Sequence, residues 1–198
     1  MRSKTQGERT EATVRLLIET AHVHFSRKGF QQTSIDDIAS SAGVTRGAFY
    51  HHFDSKLDIF RSVFVDTEKR LADLVLRSAN RQSSPWRQLL IGCRAFLDAC
   101  LDPAVRQIYL LDGPAILGWE AVRAIEAEST LAVLQQGLVA ASQAGEIRSV
   151  NTEAVAYLVF GALCEAGMVI ARSPDPKSSL KAINTELEGM LSGLQARS

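Results

Sequence analysis

Apolar residues recur at three- and four-residue intervals along almost this whole chain, while the two-residue alternation of strands is negligible. That period admits only helix packed on helix, so the expected fold is all-α, with about nine helices. From Glu8 to Lys28, the positions Val14, Leu17, Ile18, Ala21 and Phe25 mark a first helix, stopped by Gly29. Thr33 or Ser34 caps a short second helix to about Ser41, and Thr45 caps a third. Ser55, with Asp58 at capping-box spacing, opens a fourth that Phe60, Val63, Phe64, Leu71 and Val75 carry to about Asn80. Ser84-Pro85 and Asp102-Pro103 each set a capping residue before proline, and "DGP" at 112–114 reads as a further turn. A longer helical region spans about Ala115 to Ala144, bent near Gly118 or Gly137, and ends at Gly145. The run from Thr152 to Ala171 is apolar almost all round and must be covered on more than one face. Leu180, Ile183, Leu187, Met190, Leu191 and Leu194 give the last helix a narrow stripe.

With 198 residues, 46% hydrophobic and 22% charged, the chain can bury a real core in one or two domains. Its 22 basic and 22 acidic residues cancel, so a nucleic-acid partner would have to be met by a local surface. Residues 1–56 carry a small basic surplus. No apolar stretch of about 18 uninterrupted residues occurs, and the polar start lacks a secretion signal. The expectation is a cytoplasmic protein without membrane contact. Cys93 and Cys100 would sit about 10 Å apart along one helix, beyond disulfide reach. The three cysteines therefore read as small buried hydrophobes, with a redox switch the lesser alternative.

Enzyme chemistry finds no footing. His22 and His24 point about 200° apart on one helix, and His51 and His52 are adjacent, so neither pair can share a metal. There is no phosphate-cradling glycine loop, nucleophile elbow or cysteine–histidine zinc pattern. No catalytic residue, metal or cofactor is expected.

The informative stretch is "GVTRGAFYHHFDSK", residues 43–56. Helices two and three are separated by a few residues centred on Gly43, with Ile35, Ile38, Val44 and Phe49 placed to form a shared core and Ala39 small enough to let the next helix approach. This is the helix-turn-helix pattern, whose second helix lies in the major groove of DNA. Thr45, Arg46, Gly47, Ala48, Tyr50, His51 and His52 are left for outward or lateral faces. Gly47 removes a side chain where backbone must approach another surface, Arg46 can pair with guanine edges or phosphate, and Tyr50, His51 and Lys56 can hold phosphates. Arg2 and Lys4 in the polar start could add minor-groove contacts.

"TSIDDIASSAGVTRGAFYHHFDSKLDIF" closely resembles the N-terminal signature of the tetracycline-repressor family of regulators, specifically over residues 9–64. The resemblance implies a DNA-binding transcriptional regulator: residues 1–54 forming the helix-turn-helix domain, 55–80 a connecting helix, and 81–198 a ligand-binding and dimerisation domain. Carried over by motif position, the DNA contacts would be Ser34, Arg46, Gly47, Ala48, Tyr50, His51 and Lys56, with Thr33 capping helix two and Thr45 capping helix three. Many relatives place a basic residue where this chain has Asp36, a departure that argues against a phosphate contact there. The family default is a repressor that binds a palindromic operator as a homodimer and is released by a small molecule.

An effector so implied would be partly apolar or aromatic, with Phe96, Cys100, Tyr109, Trp119, Arg123 and Glu165 as candidate contacts. Glu165, stranded in an apolar run, must be paired, protonated or at an interface or cavity edge. The two last helices would pair with their copies in a four-helix bundle through Tyr157, Leu158, Gly161, Glu165, Ile183, Leu187, Met190 and Leu191. Two-fold symmetry would then set the reading helices about one DNA turn, ~34–36 Å, apart.

Overall fold

A computed structural model describes residues 6–196, with side-chain detail lacking only at Gln6 and Arg9. Among the described residues the chain is helical throughout, without a strand. Helix α1 runs Gln6–Gln32, α2 Ile35–Ser41, α3 Arg46–Tyr50, α4 Lys56–Ala79 and α5 Pro85–Ala99. A π-helical segment, π1, follows at Val105–Asp112, and then α6 Gly113–Leu117, α7 Trp119–Ala127, α8 Thr130–Gln143, α9 Thr152–Arg172 and α10 Pro176–Ser192. The expected contacts of Arg2 and Lys4 lie outside the described residues.

Local chemistry accounts for most boundaries. Gly29 leaves helical geometry at φ 73°, so the regular part of α1 ends where expected. Ser34 caps α2 in a full capping box with Asp37, Thr45 caps α3, Ser55 caps α4 and Ser84 caps α5 ahead of Pro85. Asp102 accepts the N–H groups of Ala104 and Val105 at 2.8 and 3.2 Å. Gly43 takes φ 67° at the turn between α2 and α3, a conformation glycine adopts without strain.

Three expectations need correction. The Asp112–Pro114 segment is no turn: Gly113 donates to Ile108 five residues back and the chain passes directly from π1 into α6. Proline is tolerated there because the first turn of a helix has no use for its N–H. The long region after Ala115 breaks twice, at Gly118 (φ 81°) and again at Ser129, whose backbone leaves the helical region without a glycine. Gly137 makes no bend; it lies inside α8, where an added Cβ would stand 3.4 Å from Leu89.

One continuous core runs through the molecule. Leu17, Ala21, Phe25, Ile38, Phe49 and Phe53 fill the space among α1, α2 and α3, and Ile59, Phe60 and Val63 of α4 close it. Phe25, Phe30 and Phe60 meet ring to ring at 5.0–5.9 Å. Further along α4, Leu71 and Val75 join Leu89, Cys93, Phe96 and Leu97 of α5, Leu134 and Leu138 of α8 and Phe160 and Leu163 of α9. By length and composition α9 could cross a membrane, with mean hydropathy 2.0. Here it packs on α5, π1, α8 and α10, burying Ala156, Val159, Phe160, Leu163, Gly167 and Ile170.

Candidate nucleic-acid interface and effector cavity

The α2–turn–α3 unit is held from beneath by Ile38, Ala39 and Phe49, all buried, with Ile35 and Val44 packed at its margin. That anchoring turns Ser34, Thr45, Arg46, Gly47, Tyr50 and His51 to solvent, with Ala48 partly covered. Gly47 has an ordinary helical backbone, and a Cβ built there would meet nothing nearer than Thr45 Oγ1 at 3.8 Å. Nothing within the chain requires glycine at that position, so the bare backbone faces outward.

Asp36, read from sequence only as a departure, has a definite partner. Both its oxygens accept from Arg46 Nη1, at 3.0 and 2.8 Å, and Arg46 Nη2 lies 3.5 Å from the Tyr50 hydroxyl. The pair bridges α2 to α3 on an exposed surface, where it adds little stability but orients the guanidinium.

Two expected contacts sit differently. Thr33 is buried and donates its hydroxyl to Gly29 O at 2.8 Å, so it neither caps α2 nor presents a side chain to a ligand; Ser34 does the capping. Lys56 turns its ammonium inward, donating to Phe30 O at 2.9 Å and Thr33 O at 3.0 Å, with Nζ 4.3 Å from the Phe30 ring centre. The Phe30 carbonyl otherwise accepts a long bond from the Thr33 N–H at 3.4 Å, and Lys56 adds a charged donor to both carbonyls beyond the break in α1.

A cavity of about 220 Å³ lies among α4, α5, α8 and α9, walled by Val75, Leu89, Phe96, Leu134 and Phe160 with Asn80, Gln88, Gln136 and Thr130 as polar points. Of the six expected effector contacts only Phe96 lines it. Cys100 is buried against the Phe96 carbonyl, and Glu165 is exposed on α9. Trp119 is 66% exposed, its ring stacked under Arg123 at 4.1 Å. Tyr109 and Arg123 belong instead to a buried polar network beside the cavity. Tyr109 donates to Glu126 Oε1 at 2.7 Å, and Arg123 Nη1 lies 2.9 Å from Glu126 Oε2. Glu68 Oε1 accepts from Thr130 at 2.8 Å and Ser129 at 3.1 Å. Burial raises the pKa of Glu126, and pushes Glu68 up to about 7. Cys93 and Cys100 are pushed up to about 12 and Cys164 to about 11, again by burial, which keeps them as thiols and argues against a redox switch. Glu68, Glu126 and Thr130 went unnoticed in the sequence, although Glu68 continues the core spacing Phe60, Phe64, Leu71, a signal that it faces inward.

Of the surface expected to pair with a second copy, Tyr157, Leu158, Gly161, Glu165 and Met190 are exposed, Leu158 by 74%. Ile183 is partly covered. Leu187 and Leu191 are buried within the chain, because the stripe of α10 packs on its own α9 and α5, and Leu187 also lines the groove between α9 and α10 beside Ile183 and Met190.

Residues 17–63 match the family model for bacterial regulatory proteins of the tetR family, and residues 86–194 match the tetracyclin repressor-like C-terminal domain. The transposon Tn10 TetC protein of Escherichia coli is 29% identical over 123 residues, 62% of each chain. The HTH-type transcriptional repressor BepR of Brucella suis is 37% identical over 76 residues, 38% of this chain. The chain thus spans less than two-thirds of these relatives, 62% and 36% of their lengths. The crystal structure of a TetR-family transcriptional regulator from Pectobacterium atrosepticum superposes with a TM-score of 0.85 at 29% identity, covering 98% of this chain and 99% of that one. Helix-turn-helix geometry at one end, a helical domain at the other and a C-terminal model covering more than half of the 198 residues agree: the chain belongs to the tetracycline-repressor (TetR) family of DNA-binding transcriptional regulators.

Proposed function

We propose that this chain is a cytoplasmic, effector-controlled repressor that grips a palindromic operator as a homodimer. Residues 1–54 would read DNA, 55–80 connect, and 81–198 hold the effector and the second copy. The observation that carries this reading is the rigid outward presentation of Arg46, Gly47, Ala48, Tyr50 and His51 on α3, over a fully buried Phe49. Arg46 would read a base edge or clamp a phosphate, Tyr50 and His51 would hold phosphates, and Ser34 at the start of α2 would add a backbone contact. An isolated five-residue reading helix cannot span enough operator for specificity, so two copies are needed. The exposed apolar strip of Tyr157, Leu158 and Met190 supports pairing through α9 and α10. The cavity of about 220 Å³ supports a small effector. Release would follow if the effector favours a domain arrangement whose reading heads no longer match successive grooves.

Gel shift against the upstream region of the chain's own gene, with random duplex as control, tests this. Retardation of the upstream DNA by a dimer, at concentrations leaving random duplex free, is expected. A monomer that binds both duplexes equally would overturn it.

A further inference from the structure

We propose that Asp36 is a specificity-determining residue: its carboxylate holds Arg46 for a guanine edge and keeps it off the phosphate backbone. This rests on the operator reading above and assigns Arg46 the base rather than the phosphate.

Asp36 stands in the first turn of α2 but has no part in its cap, since Ser34 and Asp37 form the capping box between them. Its side chain is 64% exposed, beside the helix that meets a polyanion. A free carboxylate there would repel phosphate and only weaken binding. Asp36 is not free. Both oxygens accept from Arg46 Nη1, at 3.0 and 2.8 Å, so an acid on α2 is tied to the first residue of the reading helix. An exposed pair of this kind adds little to stability, which leaves its hold on the guanidinium as the consequence that matters.

Asp36 takes only Nη1. Nη2 lies 3.5 Å from the Tyr50 hydroxyl, and no other hydrogen bond engages the guanidinium among the described residues. The Tyr50 ring centre lies 5.7 Å from the guanidinium carbon and restricts its swing. Nε and Nη2 therefore keep hydrogens to donate, and together they make the fork that fits O6 and N7 of guanine. The carboxylate also discriminates by charge. A phosphate approaching Arg46 meets an anion already seated on Nη1 and is repelled, whereas a guanine edge is uncharged and is not. The pair is neutral as a whole, so it adds nothing to sequence-blind attraction. An unpaired Arg46 would settle on phosphate, the contact that supplies non-specific affinity.

The test is fluorescence anisotropy of the full-length chain at several salt concentrations, against the upstream duplex of the gel shift and a random duplex of equal length. In Asp36→Asn, which keeps the shape and removes the charge, the random duplex should bind more tightly. Its salt slope should steepen by about 1, for the phosphate that Arg46 gains. The ratio of upstream to random affinity should fall at least about tenfold, and Arg46→Ala should lower it likewise. Adding Asp36→Asn to Arg46→Ala should change neither slope nor ratio further, because no guanidinium is left to redirect. An unchanged ratio in Asp36→Asn overturns the proposal. So does an equal further fall in the Arg46→Ala background, which would have Asp36 touching a base itself. A purely structural role, through the α2 dipole, would lower the urea midpoint and weaken both duplexes alike, and that result overturns it too. Wild-type protein without preference for the upstream duplex ends the operator reading and this proposal with it. A wild-type preference that Asp36→Asn leaves intact ends this proposal alone.

Discussion

The carboxylate of Asp112 accepts the backbone N–H of Phe30 at 2.7 Å, joining the end of π1 to the break in α1 across 82 residues of sequence. Gly29, beside that N–H, sits at φ 73°, which strains any side chain, and a Cβ there would press on the ends of Gln107 at 3.0 Å and Asp112 at 3.3 Å. The junction ties α1 to the segment that follows α5. Asp112→Ala should lower unfolding stability by about 1–3 kcal/mol in urea titration, because it orphans a part-buried N–H. Asp112→Asn, which keeps an acceptor oxygen, should lose less. Equal losses in both would mean that charge, not the hydrogen bond, holds the junction.

Gly113, next in sequence, lies flat against Phe64 of α4. A Cβ there would stand 2.3 Å from Phe64 Cε2 and 3.1 Å from the Ile108 carbonyl. Gly113→Ala is expected to cost about 1–3 kcal/mol through overpacking, seen as a lower thermal midpoint. Pairing it with Phe64→Leu should restore part of that loss; additive losses would place the strain elsewhere.

At Gly47 stability and binding should move in opposite directions. Alanine fits the helix and the space around it, so Gly47→Ala should leave stability unchanged or raise it by up to about 1 kcal/mol. Operator affinity should fall, because a methyl group would stand where backbone approaches DNA. A variant with unimpaired affinity would remove Gly47 from the interface.

Lys56 and Tyr50 separate structure from contact. Lys56→Ala leaves two carbonyls without a charged donor and should destabilise the fold by about 1.5–3 kcal/mol. Tyr50→Ala, at an exposed position, should barely change denaturation yet weaken DNA binding about equally on all sequences. Comparing urea midpoints with salt-dependent binding for both variants checks this.

Glu68 gives the stability curve a recognisable slope. Its folded-state pKa of about 7 lies above the ordinary 4.5, because burial disfavours the charged form. The folded state therefore holds the extra proton between those values, and stability falls as pH rises through that window. The full penalty, on the order of 3 kcal/mol, is present above about pH 7 and absent below about 4.5. Glu68→Gln should flatten this slope in urea titrations between pH 5 and 8; an unchanged slope would assign it to another group.

Helix-forming spacing and capping chemistry act over a few neighbouring residues, which is why the sequence alone determined the all-helical class, most helix ends and the α2–Gly43–α3 turn. Thr45, Ser55 and Ser84 each declare a helix start without help from the rest of the molecule, whereas the choice between Thr33 and Ser34 waited for the structure. The outward residues of α3 were legible for the same reason, because Phe49 fixes which way the helix must face. Only tertiary structure decided the rest. Thr33 and Lys56 turn inward to donate to carbonyls at and beyond the break at Gly29, a geometry set by how α1 meets α4. Leu187 and Leu191 pack on their own chain, and the cavity forms from four helices whose facing residues lie far apart in sequence. Glu68 and Glu126 acquire their character from burial beside each other, and burial is a property of packing, not of any local stretch of chain.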